Sequence, residues 1–502
     1  MRLSGVQYKL RPGHIRSVAV VGAGPYGAGV TKALVKEGSF DQIHVFERRE
    51  QFGGLWNYTK PLLKHHGVTC AAAVPCENAR LQMRPQLTKD GRPAFQTAAY
   101  RYLDTNVPRD LMQYRSISFP EGTPLFPTRE QVLEHILQFC RPIKKYVQFN
   151  TEVTKVSYDD ARAKYSVLTT NLLDNTTRAI EVDAVAVATG YYNMPFIPDR
   201  PGLKSWHETY PCSISHSIDF DAPEDFLDVK GEIIVVGNNA SGSDISYELA
   251  RCLKRPIYKS KRSESLLPGG SDSNIKDVAD IKRLDPASKT VELVDGQVIQ
   301  NVEKLLFCTG YLKSVPFLPS SAKEGEHGNR VMSQLITEGD KVTDLYNHML
   351  SIRLPTLAFL GLPRYVLPIR LSETQGSWLA RVWSGRISLP SEEVQWKYHE
   401  WTLENNGRGI KYHDLLFPHD IQHSQRLNME IRHAGAGGHF GVEWTGNHIK
   451  LRAALKPLKE AYIEYLKQTN KRAVSVEELI DNGYFTWPED ATTCVQVPHF
   501  AP

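Results

Sequence analysis

Hydrophobic and polar positions repeat along the chain in a recurring order of strand, glycine-rich turn, helix and second strand. The first such segment runs from Ser17 to Glu47 and the second from Glu232 to Arg262. Each opens with a short apolar run, which predicts a buried strand, and continues into residues with helical periodicity. Strands that alternate with helices predict parallel sheets covered by helices on both faces, so the predicted fold class is α/β with doubly wound sheets.

The rest of the chain adds one clear helix, further strands and a tail. Apolar residues recur at helical spacing over 129–140, and alternation predicts strands over 147–156 and 165–168. After Leu318 the pattern becomes irregular and then typical of helices rich in tryptophan and glutamate. A chain of 502 residues predicts two or three domains, because single cores rarely grow beyond about 250–300 residues.

Composition and charge exclude several classes of protein. The chain is 41% hydrophobic and 23% charged, which is typical of a soluble globular protein. Its net charge is only +4 and no basic block is interleaved with aromatic residues, so we expect no nucleic-acid partner. We also find no apolar run of membrane-spanning length and no secretory signal before the first strand. We therefore expect a cytoplasmic protein without a membrane anchor.

The seven cysteines are dispersed and form no CxxC pair; they lie at positions 70, 76, 140, 212, 252, 308 and 494. An odd, scattered set predicts reduced thiols rather than a disulfide framework. The adjacent His65 and His66 have no partner cysteine or carboxylate pattern, so no metal site is predicted.

The first glycine loop reads Gly22-Ala23-Gly24-Pro25-Tyr26-Gly27 and follows its strand directly. Gly22 permits the tight turn, Gly24 lets the backbone approach a pyrophosphate, and Gly27 lets the helix pack on the strand. The helix N-terminus offers free N–H groups to the anion. The second strand ends in Glu47, whose carboxylate would accept a hydrogen bond from a ribose 2′-hydroxyl. This unit predicts a dinucleotide without a 2′-phosphate.

The second glycine loop reads Gly237-Asn238-Asn239-Ala240-Ser241-Gly242 and has Asn239 in place of the middle glycine. Its second strand ends in the basic residues Lys259, Lys261 and Arg262 rather than in an acid. A carboxylate there would repel a 2′-phosphate, whereas cations neutralise it. The chain is therefore predicted to hold two different dinucleotides, for which FAD and NADPH are the natural pair.

Two matching segments flank the second unit. Each is a buried strand that ends in a Thr-Gly-Tyr turn, Thr189-Gly190-Tyr191 before the unit and Thr309-Gly310-Tyr311 after it. Their symmetric placement indicates that an NADPH domain is inserted into an FAD domain. The predicted boundaries are 1–195 for the first part of the FAD domain, 196–322 for the NADPH domain, and 323–502 for completion of the FAD domain plus a C-terminal helical extension.

Four further stretches match one known family at its own spacing. They are Gly53-Gly54-Leu55-Trp56 after Glu47-Arg48, the segment from Tyr102 to Met112 with Thr105-Asn106 and Pro108, Phe126-Pro127-Thr128-Arg129, and Thr151-Glu152-Val153. With the two loops, these stretches resemble the flavin-containing monooxygenases, the class B flavoprotein monooxygenases, and their soluble branch in particular. The resemblance covers roughly residues 15 to 390.

One family fingerprint, FxGxxxHxxx(Y/F), is only partly matched. His216 and Phe220 stand in place, but Tyr210 replaces the first phenylalanine and Cys212 replaces the glycine. A cysteine adopts a positive φ at greater cost than glycine does. We therefore expect the interdomain geometry to differ from that of the family at this point.

The resemblance implies a fold, a pair of cofactors and a reaction. The fold would be glutathione-reductase-like, with two Rossmann-like domains that bind FAD and NADPH/NADP+. NADPH would reduce FAD, and reduced flavin would capture O2 as a C4a-hydroperoxide in a pocket that excludes water. One oxygen atom would then pass to a nucleophilic nitrogen or sulfur atom of a small molecule. A homodimer is expected from the same resemblance.

The resemblance also implies residue roles. Asn106 is the candidate nearest the reaction, since its amide donates hydrogen bonds without titrating. His216, the second candidate catalytic residue, either orders the linker near NADP+ or is a satisfied buried histidine, and Glu373 and Gln375 match an E-x-Q stretch placed near the flavin. The implied cofactor-binding residues are Gly22, Gly24, Pro25, Tyr26, Gly27, Glu47, Arg48, Gly54, Leu55, Trp56, Thr105, Asn106, Val153, Thr189, Gly190, Gln375, Gly237, Asn239, Ser241, Gly242, Lys259, Lys261, Arg262, Thr309, Gly310 and Tyr311.

Three other functions stay open at this stage. A Baeyer–Villiger monooxygenase acting on ketones would use the same cofactors. A pyridine-nucleotide disulfide reductase would share the two-domain plan but needs a closely spaced redox pair, and Cys70 and Cys76 have five residues between them. A catalytically silent nucleotide-binding regulator would keep both loops and consume no NADPH.

Overall fold

The computed structural model describes residues 14–59, 86–88, 91–211 and 213–496. The His65-His66 pair and the cysteines at 70, 76 and 212 lie outside the described residues.

The strands of the described residues are short and lie between Ser17 and Phe359. In chain order they are β1 Ser17–Val21, β2 Gln42–Phe46, β3 Gln86–Leu87, β4 Pro93–Ala94, β5 Val147–Gln148, β6 Thr151–Asp159, β7 Lys164–Asn171, β8 Thr177–Val182, β9 Ala184–Val187, β10 Met194–Pro195, β11 Ile214–His216, β12 Glu232–Val236, β13 Ile257–Ser260, β14 Ile275–Val278, β15 Ile281–Asp285, β16 Thr290–Leu293, β17 Val298–Ile299, β18 Val302–Phe307, β19 Tyr311–Leu312, β20 Leu345–Tyr346, β21 Leu350–Ser351 and β22 Leu357–Phe359.

The helices lie between these strands and make up most of the chain after Gly361. They are α1 Pro25–Glu37, α2 Arg129–Cys140, α3 Leu203–Thr209, α4 Ala240–Leu253, α5 His327–Gln334, α6 Pro368–Ser384, α7 Glu392–Asn406, α8 His419–His433, α9 Gly446–Ala453, α10 Leu455–Thr469 and α11 Val476–Asp481.

The first large sheet has seven strands in the order β20-β21-β22-β9-β1-β2-β5. Its central pairs β1–β2, β1–β9, β2–β5 and β9–β22 are parallel. The chain leaves this sheet after β9 and returns to it at β20. Strands β1 and β9 are buried along their whole length, as expected when helices or strands cover both faces.

The second large sheet is built only from the chain between these two points. Its order is β11-β18-β12-β13-β14, and all four pairings are parallel. The two sheets share one local register: Val21 pairs with Phe46 in the first, and Val236 pairs with Ser260 in the second. The predicted α/β class with two Rossmann-like units is confirmed, and the residue after Ser260, Lys261, is the structural counterpart of Glu47.

Helix α1 owes its position to glycine at both ends and along one face. Gly38 ends the helix with φ +71°, the left-handed conformation that glycine adopts at low cost. Where α1 crosses α6, a β carbon at Gly29 would lie 2.6 Å from the Ser372 carbonyl oxygen, and one at Gly376 would lie 2.7 Å from the Val30 Cα. The two helices therefore pack backbone to backbone beneath the first glycine loop.

The C-terminal helices cover the segment that follows Asn106. Leu458 and Tyr462 on α10 are fully buried and share one apolar cluster with Leu111, Leu125 and Phe126. The Leu125 N–H donates to the carbonyl oxygen of Ala473 at 2.8 Å. The C-terminal helical extension is therefore packed tightly onto the segment from Leu111 to Phe126.

Candidate functional site

The first glycine loop has the conformation that its sequence predicts. Gly22 has φ +99°, and a β carbon there would lie 2.7 Å from the Ala188 carbonyl oxygen. A β carbon at Gly27 would lie 1.9 Å from the Gly22 carbonyl oxygen. Pro25 begins α1, and no side chain caps the N-terminus of the helix. The loop is therefore a close-packed turn that presents uncapped backbone N–H groups.

Glu47 lies directly beside this loop and is 5% exposed. Its Oε2 accepts from the Ala23 N–H at 2.7 Å and its Oε1 from the Arg49 N–H at 2.9 Å. The Thr151 N–H donates to the Glu47 carbonyl oxygen at 2.9 Å, which brings the start of β6 and the buried Val153 to the same edge. The structure thus brings together the acid, the loop and the strand that carries the predicted cofactor-binding residue Val153.

The Gly54-Leu55-Trp56 turn touches the loop through backbone atoms. Gly54 has φ +56°, and a β carbon there would lie 3.0 Å from the Gly24 Cα. Leu55 and Trp56 form a single helical turn at the same edge and are partly buried. Glycine at residue 54 allows this approach, because its positive φ and close contact disfavour a side chain, whereas a β carbon at Gly24 would lie 3.4 Å from the Gly54 Cα.

Two side chains beneath the loop have donors without a partner among the described residues. Arg48 stacks over the Phe95 ring at 4.2 Å and donates through Nη2 to Asn193, while its buried Nη1 has no acceptor. Gln375 on α6 accepts from the Gly361 N–H at 3.1 Å, while its buried Nε2 has no acceptor. A β carbon at Gly361 would lie 2.6 Å from the Tyr26 ring, so Gln375 sits behind Tyr26.

Glu373 has a different environment from Gln375. Its Oε1 pairs with His439 Nε2 at 2.6 Å and its Oε2 accepts from the Arg115 N–H at 2.7 Å. It is fully buried. Glu373 therefore holds the C-terminal region against α6, and of the E-x-Q pair only Gln375 faces the glycine loop.

The second glycine loop repeats the geometry of the first. Gly237 has φ +109°, and a β carbon there would lie 2.7 Å from the Cys308 carbonyl oxygen. A β carbon at Gly242 would lie 1.9 Å from the Gly237 carbonyl oxygen, the same distance as in the first loop. Asn239 precedes α4 without capping it, and its side-chain amide donates to the Tyr365 hydroxyl at 3.2 Å. Ser241 lies in the uncapped first turn.

The basic strand end after the second loop is partly neutralised. Asp277 on the neighbouring strand β14 pairs with Lys259 at 3.1 Å and with Lys261 at 2.9 Å. Lys261 also pairs with Glu264 at 2.6 Å. Arg262 is exposed and forms no ion pair with any described residue. Of the three predicted cations, Arg262 is the one whose charge is not already matched.

The two Thr-Gly turns meet and join the sheets. Strands β10 and β19, which follow the turns, pair antiparallel. The Phe196 N–H donates to the Gly310 carbonyl oxygen at 2.9 Å, and the Thr309 hydroxyl donates to the Phe196 carbonyl oxygen. Thr189 and Gly190 follow β9 beside the first loop, because the Ala188 N–H donates to the Val21 carbonyl oxygen at 2.8 Å.

Aromatic side chains pack around this linker. Tyr192 contacts the Tyr311 ring edge to face at 5.4 Å between centroids, and Tyr311 is buried. His216 contacts Tyr311 from the other side at 4.9 Å. The Tyr311 ring is thus enclosed by its neighbours, whereas Tyr192 stays 39% exposed at the surface of the linker.

Both ring nitrogens of His216 are used by backbone groups. Nε2 lies 2.9 Å from the Gly310 carbonyl oxygen, and the Ile218 N–H donates to Nδ1 at 3.2 Å. Burial lowers the pKa of His216 to about 3. The ring is therefore neutral at physiological pH and fixed in one tautomer, so its contacts favour the linker-ordering role over acid–base chemistry.

Asn106 contacts helix α4, which follows the second glycine loop. Its Nδ2 donates to Asp244 Oδ2 on α4 at 3.2 Å, and Tyr100 donates to the same carboxylate at 3.2 Å. The preceding Thr105 is buried, and its carbonyl oxygen accepts from Lys459 Nζ at 2.7 Å. Asp244 and Lys459 were not predicted from the sequence, because neither belongs to a motif that indicates a contact with Asn106.

The residues present fit the two expected cofactors. Phosphate groups bind at helix N-termini that are not capped by side chains, and both α1 and α4 start this way directly after a glycine loop. The unpartnered donors of Arg48 and Gln375 lie at the first loop, where a bound dinucleotide would supply acceptors.

The described part of the chain contains no group of three or more histidine, cysteine or acidic residues placed to hold a metal. Within the same ranges, no helix is long and apolar enough to cross a membrane. The described cysteines at 140, 252, 308 and 494 are free thiols. The Cys70 and Cys76 pair falls outside the described residues.

Comparisons with known proteins point to one family. Residues 86–274 match the family model described as flavin-binding monooxygenase-like. The chain is 30% identical over 418 residues to "Flavin-containing monooxygenase FMO GS-OX-like 3" of Arabidopsis thaliana, covering 80% of this chain and 84% of that protein. It is 27% identical over 456 residues to "Thiol-specific monooxygenase" of Saccharomyces cerevisiae, covering 87% and 90%.

A solved structure shows the same relationship in three dimensions. S-allyl-L-cysteine S-oxygenase from Allium sativum superposes with a TM-score of 0.69 at 25% identity, covering 93% of this chain and 97% of that one. The match therefore extends over nearly the whole of both chains. This chain belongs to the flavin-containing monooxygenase family and is a flavin-dependent monooxygenase with FAD and NADPH as its cofactors.

Proposed function

We propose that this protein transfers one oxygen atom of O2 to a nucleophilic sulfur or nitrogen atom of a small molecule, at the expense of NADPH. The observation that carries the proposal is the pair of glycine loops with equal geometry but different strand ends, Glu47 beside the first and Arg262 beside the second. Two cofactors of opposite 2′ chemistry would then meet at the junction marked by Asn106. The names of two relatives specify sulfur, so sulfur compounds are the first substrates to test.

The first unit would hold FAD. The Gly22–Gly27 loop would take the pyrophosphate at the N-terminus of α1, and Glu47 would accept from the adenosine ribose. Arg48, the Gly54-Leu55-Trp56 turn and Val153 line the same edge, and Gln375 lies below the loop. Thr189 and Gly190 would pass beside the bound cofactor on the way out of the sheet.

The second unit would hold NADPH. The Gly237–Gly242 loop, with Asn239 and Ser241, would take its pyrophosphate at the N-terminus of α4. Arg262 would pair with the 2′-phosphate, with Lys259 and Lys261 as its flanking charges. Thr309, Gly310 and Tyr311 would pass between the two cofactors. We retain the boundaries 1–195, 196–322 and 323–502 as the proposed domain division.

The protein's own contribution is position and the exclusion of water. When bound, NADPH supplies two electrons and FAD activates O2. Asn106 would orient the cofactors through a neutral amide, which neither gains nor loses a proton. Tyr311 is buried at the junction, whereas Tyr192 is 39% exposed, so bound cofactors would have to complete the covering of the site. A dry site would protect a reactive oxidant from loss to solvent. No side-chain nucleophile is required, because a soft heteroatom attacks the oxidant directly.

Product formation tests the proposal directly. Purified holoenzyme would be supplied with NADPH, ¹⁸O2 and, in separate reactions, a thiol, a thioether, a tertiary amine and a cyclic ketone. We expect one ¹⁸O atom in the sulfoxide or the amine oxide, a disulfide with the ¹⁸O released as water from the thiol, and little H2O2. Lactone formation from the ketone would indicate Baeyer–Villiger chemistry instead. NADPH oxidation that yields only H2O2 with every compound would refute the proposal.

Replacing Arg262 with alanine is expected to lower kcat/KM for NADPH by roughly 10- to 100-fold, the loss of a charge-assisted hydrogen-bonded contact. Catalysis with NADH should change little, because NADH has no 2′-phosphate. Steady-state kinetics with both cofactors measures the effect. Lys261→Ala is the matched comparison and should have a smaller effect, since its charge is already paired with Asp277. Equal losses with NADH and NADPH would contradict the assignment.

A further inference from the structure

A network of charged and polar side chains joins three parts of the chain at Asn106. Asp244, one turn into α4, accepts from Asn106 and from Tyr100, both at 3.2 Å. Tyr100 and Asn106 precede α2, in the part of the chain that forms the first unit. Through these two hydrogen bonds, the Asp244 carboxylate links α4 directly to the segment that contains Tyr100 and Asn106, at the candidate reaction site.

The third part is the C-terminal extension. Lys459 on α10 is 4% exposed, and its ammonium group donates to the Thr105 carbonyl oxygen at 2.7 Å. It lies 4.6 Å from the centroid of the Phe126 ring, so the aromatic face also stabilises it. Next to it, Arg472 pairs with Asp104 at 2.8 Å. The extension thus anchors the peptide on the N-terminal side of Asn106.

The charges around Asp244 decide its ionisation. Burial raises the pKa of Asp244 to about 6, while Lys459 and the hydrogen bond from Asn106 oppose that rise. Burial together with Asp244 raises the pKa of Glu248, one turn further along α4, to about 8. At neutral pH the pair therefore carries its charge mainly on Asp244. The charged and titratable groups that face Asp244 are Tyr100, Asp104, Glu248, Cys308 and Lys459.

An asparagine amide can rotate by half a turn with almost no change of shape. An ionised carboxylate only accepts hydrogen bonds, so Asp244 selects the orientation in which Nδ2 points to α4. The amide oxygen and the second amide hydrogen are then directed away from α4. A nearby ammonium group that keeps the carboxylate ionised strengthens this choice.

We infer that Asp244 and Lys459 are positioning residues that hold the Asn106 amide in the orientation that oxygen transfer requires. The C-terminal extension is then part of the active site, because its Lys459 supplies the buried cation. The inference rests on the proposed function in one respect, namely that Asn106 contacts the bound cofactors.

A double-mutant cycle tests whether Asp244 acts through Asn106. The ratio of H2O2 to oxygenated product would be measured for wild type, Asn106→Ala, Asp244→Ala and the double variant. Each single change should raise the ratio about tenfold, the effect of losing one charge-assisted hydrogen bond. In the double variant the ratio of H2O2 to product should be no higher than in the more affected single variant. Two residues that act through one contact have non-additive effects. Multiplication of the two effects would overturn the inference.

Lysine variants separate positioning from folding. Lys459→Met should raise the H2O2 ratio in the same way, and Lys459→Arg should restore coupling at least in part. Lys467→Met on the exposed face of the same helix is the control and should match wild type. FAD content and the thermal midpoint report folding for each variant. Uncoupling of Lys467→Met to the same extent as Lys459→Met would contradict a specific role.

The pH dependence provides a second readout. Below about pH 6 Asp244 takes up a proton and its bond to Asn106 loses its charge, so coupling in wild type should fall as pH decreases through 6. Asp244→Asn should show the low-pH ratio at every pH. Absorbance titration of the bound flavin with NADP+ measures cofactor affinity without turnover. If wild type forms no oxygenated product, the proposed function fails; if it does and the variants remain coupled with unchanged NADP+ affinity, only this inference fails.

Discussion

Protein carrying Gly27→Ala is expected to purify with little or no FAD. A β carbon at residue 27 would lie 1.9 Å from the Gly22 carbonyl oxygen, and only backbone movement could relieve that contact. Overpacking of this kind costs about 1–3 kcal/mol, which corresponds to roughly 10- to 100-fold weaker cofactor binding if the loop opens. The ratio of flavin to protein absorbance measures the loss. The thermal midpoint should also fall, because bound FAD stabilises the folded state.

The control for Gly27 is Gly409→Ala. Gly409 has φ −102°, and the nearest atom to an added β carbon is Asp340 Oδ2 at 3.8 Å. This variant should keep its full FAD content and thermal midpoint. Full FAD occupancy in Gly27→Ala, in contrast, would show that the first loop is not the pyrophosphate site.

The glycine loops and their strands could be predicted because their signals are local. The order of strand, turn, helix and second strand predicted between Ser17 and Glu47 is confirmed, and so is the helix Arg129–Cys140. Each depends on a short run of apolar residues and on a residue that ends it, such as Gly38 with its left-handed conformation. The counterpart relation of Glu47 and Lys261, in contrast, came from the strand register.

Contacts between distant parts of the chain could not be predicted in this way. Nothing in the run from Lys259 to Arg262 shows that Asp277, on the adjacent strand, already pairs with two of its cations. A count of basic residues therefore overestimates the positive charge that a bound phosphate would meet, because the neighbouring strand supplies an opposite charge. The distinction between Lys261 and Arg262 therefore required the sheet register.

The C-terminal extension shows the same limit more strongly. Its residues carry no motif, and the buried Lys459 has no distinctive sequence neighbours. A fully buried ammonium group is costly unless it is paired, so its place in the fold must supply acceptors. The acceptor is the Thr105 carbonyl oxygen, and the carboxylates of Asp104 and Asp244 supply the opposite charge. Their chain separation exceeds any window in which periodicity or spacing is informative.

The structure explains the role of His216 in the partly matched fingerprint, but not the replacement of its glycine by Cys212. Cys212 lies outside the described residues, but the histidine is held by Gly310 and Ile218 backbone atoms. The ring thereby joins β11 to the second linker, on the side where it meets Tyr311. His216 therefore ties two backbone segments together, and its neutral state at physiological pH agrees with that role.

Gly242→Ala is expected to leave FAD in place and to slow its reduction by NADPH roughly 100-fold, the upper end of the cost of a backbone clash. The added β carbon would lie 1.9 Å from the Gly237 carbonyl oxygen, as close as the equivalent contact in Gly27→Ala, but in the loop of the second sheet. Anaerobic mixing with NADPH and recording of the flavin absorbance measures the rate. Dithionite should reduce the same flavin at the wild-type rate, which separates cofactor access from flavin damage.

The two alanine variants are each other's control, because the same atom is added to the same position of two loops with the same distances. If both loops held one cofactor, both variants would lose FAD together. If the second loop served only to pack helix α4, Gly242→Ala would unfold without a selective loss of reduction. Loss of FAD in the first variant and loss of NADPH-driven reduction alone in the second would separate two dinucleotide sites, each assigned to its own loop.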